Sequence, residues 1–226
     1  MPGHDRAKAA ALEAILFDVD GTLIDTTTMI VQTLGETYRR FLGVEVPPEE
    51  IKATIGMSLD VQVRLFDDRA HVRPDHGAMA RFQVDLYEDH KHMEVPVPEA
   101  LEAVRVCKRR GLRTAIVTSK DSREMSSVLP RLKLDGSLDT TVCATDTLRA
   151  KPDPEPALLA LDRLGVAAER ALLVGDTDYD MECGRAAGCA VAAVLWGAQP
   201  ESRLAACEPD LVFRTPADLL RWCEAV

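Results

Sequence analysis

Short, nearly continuous apolar runs ending in Asp, Thr or Gly alternate along this chain with longer segments of helical period. The runs are Ala14-Ile-Leu-Phe-Asp18, Arg113-Thr-Ala-Ile-Val-Thr118, Leu172-Leu-Val-Gly-Asp176 and Ala190-Val-Ala-Ala-Val-Leu195. Apolarity this continuous over so few residues predicts strands covered on both faces, as in a parallel sheet. Between them, Leu101, Val104 and Lys108 follow Pro98-Glu99, and Leu158, Leu161 and Leu164 follow Pro154-Glu155-Pro156. Proline in these places is what a first helical turn tolerates. Asp121-Ser-Arg-Glu124 has capping-box spacing, and Gly111 and Gly165 stand where helix C-caps fall. Strand, helix and strand in succession predict an α/β fold, a doubly wound parallel-sheet core with helices on both faces.

One stretch breaks this rhythm. Residues 26–92 carry helical patterns and no convincing strand: Ile30, Leu34, Tyr38 and Phe41 share one face, Ile51 and Ile55 a second. Leu59, Val63 and Phe66 form a third, and Met79, Phe82 and Leu86 a fourth, with Pro47-Pro48 and Pro74 as separators. The pattern predicts an inserted α-helical cap of four helices at 26–92, with the α/β core made of 1–25 and 93–226.

Composition narrows the class of partner. The 226 residues are 46% hydrophobic and 28% charged, which excludes disordered and fibrous readings. The net charge of −10 repels nucleic-acid phosphates and anionic lipid, so neither is expected as a partner. A small anionic substrate would then require a local positive device. The longest apolar run, Ala190 to Trp196, is far short of the ~20 residues a bilayer crossing needs. The start, Met1 to Lys8, has no signal-peptide apolar region, and the six cysteines show neither zinc nor disulfide-framework spacing. The expectation is a soluble, cytoplasmic protein, monomer or homodimer.

The polar residues sit at the carboxyl ends of the predicted strands, where open parallel sheets bind ligands. Asp18 and Asp20 follow the first strand, Thr118 and Ser119 the next, and Asp176 and Asp180 a later one; Lys151 comes from Arg149-Ala-Lys-Pro152. Carboxylates gathered in one place repel one another, and a single lysine does not neutralise them. A hard divalent cation does, and without Cys or His beside it Mg²⁺ suits the oxygen donors better than zinc. Asp18 can then attack phosphorus and form an aspartyl-phosphate, while Asp20 protonates the leaving alkoxide and later deprotonates the water. Gly21 permits a sharp turn that lets the Asp20-to-Thr22 amides face phosphate oxygens. Thr118 and the Ser119 amide can hold the non-reacting oxygens, and Lys151 offsets charge on nucleophile and phosphate.

Phe17-Asp-Val-Asp-Gly-Thr-Leu23, Val117-Thr-Ser-Lys120, Lys151-Pro and Gly175-Asp-Thr-Asp-Tyr-Asp180 resemble the four ordered motifs of the haloacid-dehalogenase-like (HAD) hydrolase superfamily. The resemblance spans nearly the whole chain and implies a Rossmann-like core. It implies Asp18 as nucleophile, Asp20 as acid/base, Thr118 and Lys151 as phosphate binders, and Gly21, Thr22 and Ser119 against the substrate. The family's metal ligands fall on the Asp18 side chain, the Asp20 carbonyl and Asp176, with Asp180 in support. The helical insert, Asp25 and the Pro-x-Pro-Glu99 entry resemble the phosphoglycolate-phosphatase-like branch, although that branch usually has Pro-Gly where Pro98-Glu99 stands. The expected function is a Mg²⁺-dependent phosphatase acting on a small phosphorylated metabolite.

Other readings compete with it. Asp176, Asp178 and Asp180 imitate the opening of a calcium loop, but Met181 and Ala187 occupy its required Gly and acidic positions. A dehalogenase needs neither Asp20 nor a metal, and a sugar phosphomutase could share every core residue. A phosphonate hydrolase needs a cap lysine that no motif singles out. A phospho-accepting receiver module orders its acidic pair, phosphoacceptor, Thr and Lys differently. His90-Lys-His92 and the cap arginines Arg64, Arg69, Arg73 and Arg81 read as solvated helix faces, and the cysteines as fillers.

Overall fold

The computed structural model describes residues 12–226, so the reading of Met1–Lys8 lies outside the described residues. Among these, six parallel strands form one sheet: β1 (Ala14–Phe17), β4 (Arg113–Val117), β5 (Thr140–Val142), β6 (Ala171–Gly175), β7 (Ala190–Val194) and β8 (Leu211–Phe213). Their spatial order is β5-β4-β1-β6-β7-β8. The chain adds strands outward on one side of β1, then returns to build the other side, so the strand order reverses at β1. Helices α5 (Pro98–Arg109), α6 (Ser122–Leu132), α7 (Glu155–Leu164), α8 (Asp178–Ala187), α9 (Glu201–Ala206) and α10 (Pro216–Ala225) make the connections or close the chain.

Burial on both faces explains the unbroken apolar runs. Ile15 and Phe17 face one core with Ile116, Leu172, Val104 and Leu219, while Leu16 faces a second with Ala115, Leu173, Ala160 and Leu161. Alternate residues of β1 thus serve opposite layers, as the period of two requires. The capping box at Asp121 and Glu124 is formed, and Gly165 ends α7 in the left-handed conformation. Leu158 departs from the expected pattern: it is exposed, and Pro156, Ala157 and Ala160 join Leu161 and Leu164 on the buried face of α7.

Between β1 and β4 the chain leaves the sheet. β2 (Ile24–Asp25) pairs antiparallel with β3 (Val95–Pro96), so the outgoing and returning strands lie side by side. Beyond them come α1 (Thr27–Leu42), α2 (Pro48–Lys52), α3 (Leu59–Gln62) and α4 (His76–His90). Leu34, Tyr38 and Leu42 of α1 pack with Ile51, Val63, Phe66 and Met79 into a core separate from those of the sheet. Burying each such Leu is worth about 1.5–3 kcal/mol, enough to hold two short helices of low intrinsic stability. The Tyr38 hydroxyl donates to the Gln62 carbonyl at 2.9 Å and its ring meets Phe66 edge-on at 5.0 Å. His90 and His92 bond backbone carbonyls of their own helix end, Leu86 and Asp89.

Candidate active site

The carboxyl ends of β1, β4 and β6 converge at the reversal of strand order, where the fold leaves a crevice. Asp18 follows β1 directly and its amide donates to the Val174 carbonyl at 2.9 Å, which locks the residue to the neighbouring strand. The Lys151 ammonium reaches in from the loop before α7. It donates to Asp18 Oδ1 at 2.6 Å, Asp180 Oδ1 at 2.6 Å and the Val117 carbonyl at 3.1 Å, so all three of its protons have acceptors. Asp180 is fixed as the N3 residue of the α8 capping box, its Oδ2 accepting from the Thr177 hydroxyl at 2.6 Å and the Thr177 amide at 3.1 Å.

Asp176 completes the group. One ligand oxygen from each of Asp18, Asp176 and Asp180 lies within 4.8 Å of the others, and all three residues are buried. Asp176 Oδ2 accepts from the Ala198 amide at 2.6 Å, while Oδ1 faces the Thr22 hydroxyl at 3.5 Å. Glycines make room for these carboxylates. A Cβ on Gly21 would lie 2.1 Å from Asp176 Oδ2, one on Gly197 would lie 2.3 Å from Asp176 Cβ, and one on Gly175 would lie 2.3 Å from Asp180 Cγ.

Electrostatics follow from this crowding. Burial pushes the Asp18 carboxyl up to about 7; Lys151 pulls it back down, and Asp180 and Asp20 add to the rise. Burial, then Asp18 and Asp180, raise Asp176 well above the usual carboxylate range. Burial alone would lower the Lys151 ammonium, but Asp18 and Asp180 outweigh it and hold it above its ordinary value. If all three carboxylates are ionised, the one ammonium leaves two negative charges uncompensated in a buried volume. A hard divalent cation cancels that excess, so the donor set fits Mg²⁺ in both charge and chemistry.

Thr118 and Asp20 complete the expected set. Thr118 directly follows β4 and is buried, its Oγ1 accepting from the Lys120 amide at 3.2 Å. Asp20 is only partly buried; its Oδ1 accepts from the Thr26 hydroxyl at 2.7 Å and its Oδ2 lies 3.1 Å from the Lys120 ammonium. One expected contribution differs. The Gly21 amide donates to the Ile24 carbonyl at 2.7 Å and the Thr22 amide to the Val19 carbonyl at 3.3 Å, so the turn consumes both rather than presenting them outward. The Ser119 hydroxyl donates to the Gly56 carbonyl at 2.7 Å and ties the loop after β4 to the helical segment.

Nothing in the sequence assigned Thr26 a role, and Lys120 entered only as the last residue of the Val117-Thr-Ser-Lys120 motif, with no role of its own. A cavity of about 60 Å³ joins the two halves of the molecule here. Asp18, Asp20, Ser119 and Lys120 line its core side, and Ile30, Ile55 and Leu59 part of the other.

A Rossmann-like sheet thus carries paired aspartates after β1, a buried lysine and a third aspartate after β6. The model of the haloacid dehalogenase-like hydrolases matches residues 15–194, and the chain belongs to that family. It is 32% identical over 216 residues to the pyrophosphatase PpaX of Bacillus pumilus, covering 93% of this chain and 96% of that one. The Bacillus cereus pyrophosphatase PpaX is 32% identical over 209 residues, covering 92% and 95%. Among solved structures, a hydrolase from Pseudomonas syringae superposes with a TM-score of 0.84 at 24% identity, covering 95% of this chain and 99% of that one. A predicted phosphoglycolate phosphatase from Haemophilus somnus gives 0.82 at 22%, with the same coverages. Among the described residues no helix is long and apolar enough to cross a membrane.

Proposed function

We propose that this chain is a Mg²⁺-dependent phosphatase that hydrolyses a small-metabolite phosphomonoester through an aspartyl-phosphate on Asp18. The observation that carries the proposal is the buried Lys151 ammonium held between Asp18 and Asp180 at 2.6 Å from each, with Asp176 beside them. Asp18 is fixed at a strand end, lines the cavity and is paired with a cation that offsets its charge as phosphorus approaches. Asp20 lines the same cavity two residues on. It gives a proton to the departing oxygen, then takes one from the water that cleaves the acyl phosphate. Thr118 and the Ser119 amide steady the non-reacting oxygens while Lys151 balances their charge.

Asp18, Asp176 and the Asp20 carbonyl would hold the Mg²⁺, with Asp180 supporting them through Lys151. When bound, the ion supplies Lewis-acid polarisation of the phosphoryl group and shields the carboxylates from it. Residues 26–92 serve as a cap that covers the crevice, and the two-residue strands β2 and β3 form its stem. Water needs about 10–15 Å³ of such volume per molecule, so a cavity of about 60 Å³ suits a phosphate with only a few further atoms. The named activity of the Bacillus relatives supports a second reading, in which the leaving group is itself a phosphate and the substrate is inorganic pyrophosphate.

Phosphate release tests both readings, with p-nitrophenyl phosphate, 2-phosphoglycolate and pyrophosphate as substrates. Turnover of an ester that is lost in chelator, restored by Mg²⁺ and abolished in Asp18→Asn is the expected result. Pyrophosphate alone as substrate selects the second reading, and no turnover of any of the three rejects both.

A further inference from the structure

Asp20 is gripped from two directions. Thr26, at the N-cap position of α1, turns its hydroxyl away from the helix and donates it to Asp20 Oδ1. On the other side stands Lys120, as buried as Lys151 but ion-paired with Asp20. Its ammonium lies 3.1 Å from Asp20 Oδ2 and donates to the Tyr87 hydroxyl at 2.6 Å, 4.3 Å from the centre of that ring. Tyr87, buried on α4, in turn donates to Glu94 Oε1 at 2.6 Å. Glu94 stands just before β3 and is paired with Arg131 of α6. Arg131 also donates to the Lys91 carbonyl at 2.9 Å.

A flexible four-carbon stem ending in a compact ammonium is a poor device for fixing geometry unless both ends are held. Here the stem is buried, and Tyr87 and Asp20 hold the head. The Tyr87 contact comes from the helical segment, so Lys120 can take this position only when α4 lies against the core. Burying an ammonium is costly unless it is paired and hydrogen-bonded, which explains the investment of Tyr87, Glu94 and Arg131 behind it.

We infer that Lys120 is a positioning residue that aims the Asp20 carboxyl at the leaving-group oxygen, and that docking of Tyr87 from α4 sets it, so that proton donation is available only with the helical segment closed. The inference rests on the phosphatase reading above. It separates the Lys120 ammonium from the phosphate-binding groups, because its partners, Asp20 and Tyr87, belong to the acid/base side of the cavity.

Leaving-group chemistry distinguishes this role from a structural one. An alkyl ester such as 2-phosphoglycolate needs a proton as its bond breaks, whereas p-nitrophenolate leaves without one. General acid catalysis contributes about 10²–10⁴-fold. Misaligning Asp20 in Lys120→Met should therefore lower kcat/KM for 2-phosphoglycolate by about 10–100-fold and for p-nitrophenyl phosphate by less than about 3-fold. Tyr87→Phe, which keeps the ring and all core charges, should show the same asymmetry at smaller size. Equal losses on both esters, or no loss on either, would overturn the inference while leaving the phosphatase reading intact. A wild type inactive on both esters overturns the two together.

Discussion

Gly21→Ala is the substitution whose consequence can be worked most fully from the geometry. Gly21 has φ +74°, and an added Cβ would sit 2.1 Å from Asp176 Oδ2 and 2.6 Å from its Cγ. Asp176 cannot step aside easily, because Gly197 backs it closely and the Ala198 amide holds Oδ2 at 2.6 Å. Two costs combine: left-handed backbone for a residue with a Cβ, about 1–2 kcal/mol, and overpacking, about 1–3 kcal/mol. Gly165→Ala isolates the first, since Gly165 has φ +67° and nothing within 4 Å of its would-be Cβ. In a chain of this size each kcal/mol lowers Tm by about 2–4 °C. Calorimetry in chelator should place Gly165→Ala about 2–8 °C below wild type and Gly21→Ala about 4–20 °C below. The Mg²⁺-dependent rise in Tm should persist in Gly165→Ala and shrink in Gly21→Ala, because the displaced carboxylate is a proposed ligand. Equal Tm losses in the two variants would refute the close packing of turn and Asp176 on which the site depends.

Two further predictions follow from particular contacts. Lys151→Met should lower kcat by about 100–1,000-fold and cost about 3–5 kcal/mol in urea unfolding, because it strips the ammonium from Asp18 and Asp180; activity within 3-fold of wild type would remove Lys151 from the chemistry. Asp139 is held below the usual carboxylate range: burial would raise it, but Lys108, the Thr114 amide and Arg113 outweigh that effect. A depressed pKa contributes stability that is present above the unfolded value of about 3.9 and lost as pH falls through the folded one. Urea midpoints of wild type should therefore drop below about pH 4 more steeply than those of Asp139→Asn; parallel acid limbs would contradict this.

The sheet core was readable because four of its strands are buried on both faces and announce themselves by unbroken apolarity. β5 and β8 were not, for the opposite reason: Thr140, Thr141 and Leu211 are half-buried and Val212 is exposed, so these edge strands carry no such run. β2 and β3 hold two residues each and are defined by pairing across 72 positions, Ile24 with Pro96, which no local pattern reveals. In the site, Asp18, Lys151, Asp176 and Asp180 were legible because strand ends in such a sheet converge. The grip on Asp20 was not, since it joins Lys120, Tyr87 and Glu94 from three elements through side-chain geometry alone. The turn amides were misjudged for a simpler reason. A turn sharp enough to bring Gly21 against Asp176 closes on its own carbonyls first, through Gly21 to Ile24 and Thr22 to Val19.

The central claim is that Asp18 accepts the phosphoryl group. Acid quenching of the enzyme during turnover of p-nitrophenyl phosphate, followed by proteolysis and mass spectrometry, reads it directly. The account predicts one phosphoryl group on the peptide carrying Asp18, removed by hydroxylamine and absent from Asp18→Asn. A phosphoryl group on any other residue, or full turnover by Asp18→Asn, would contradict it.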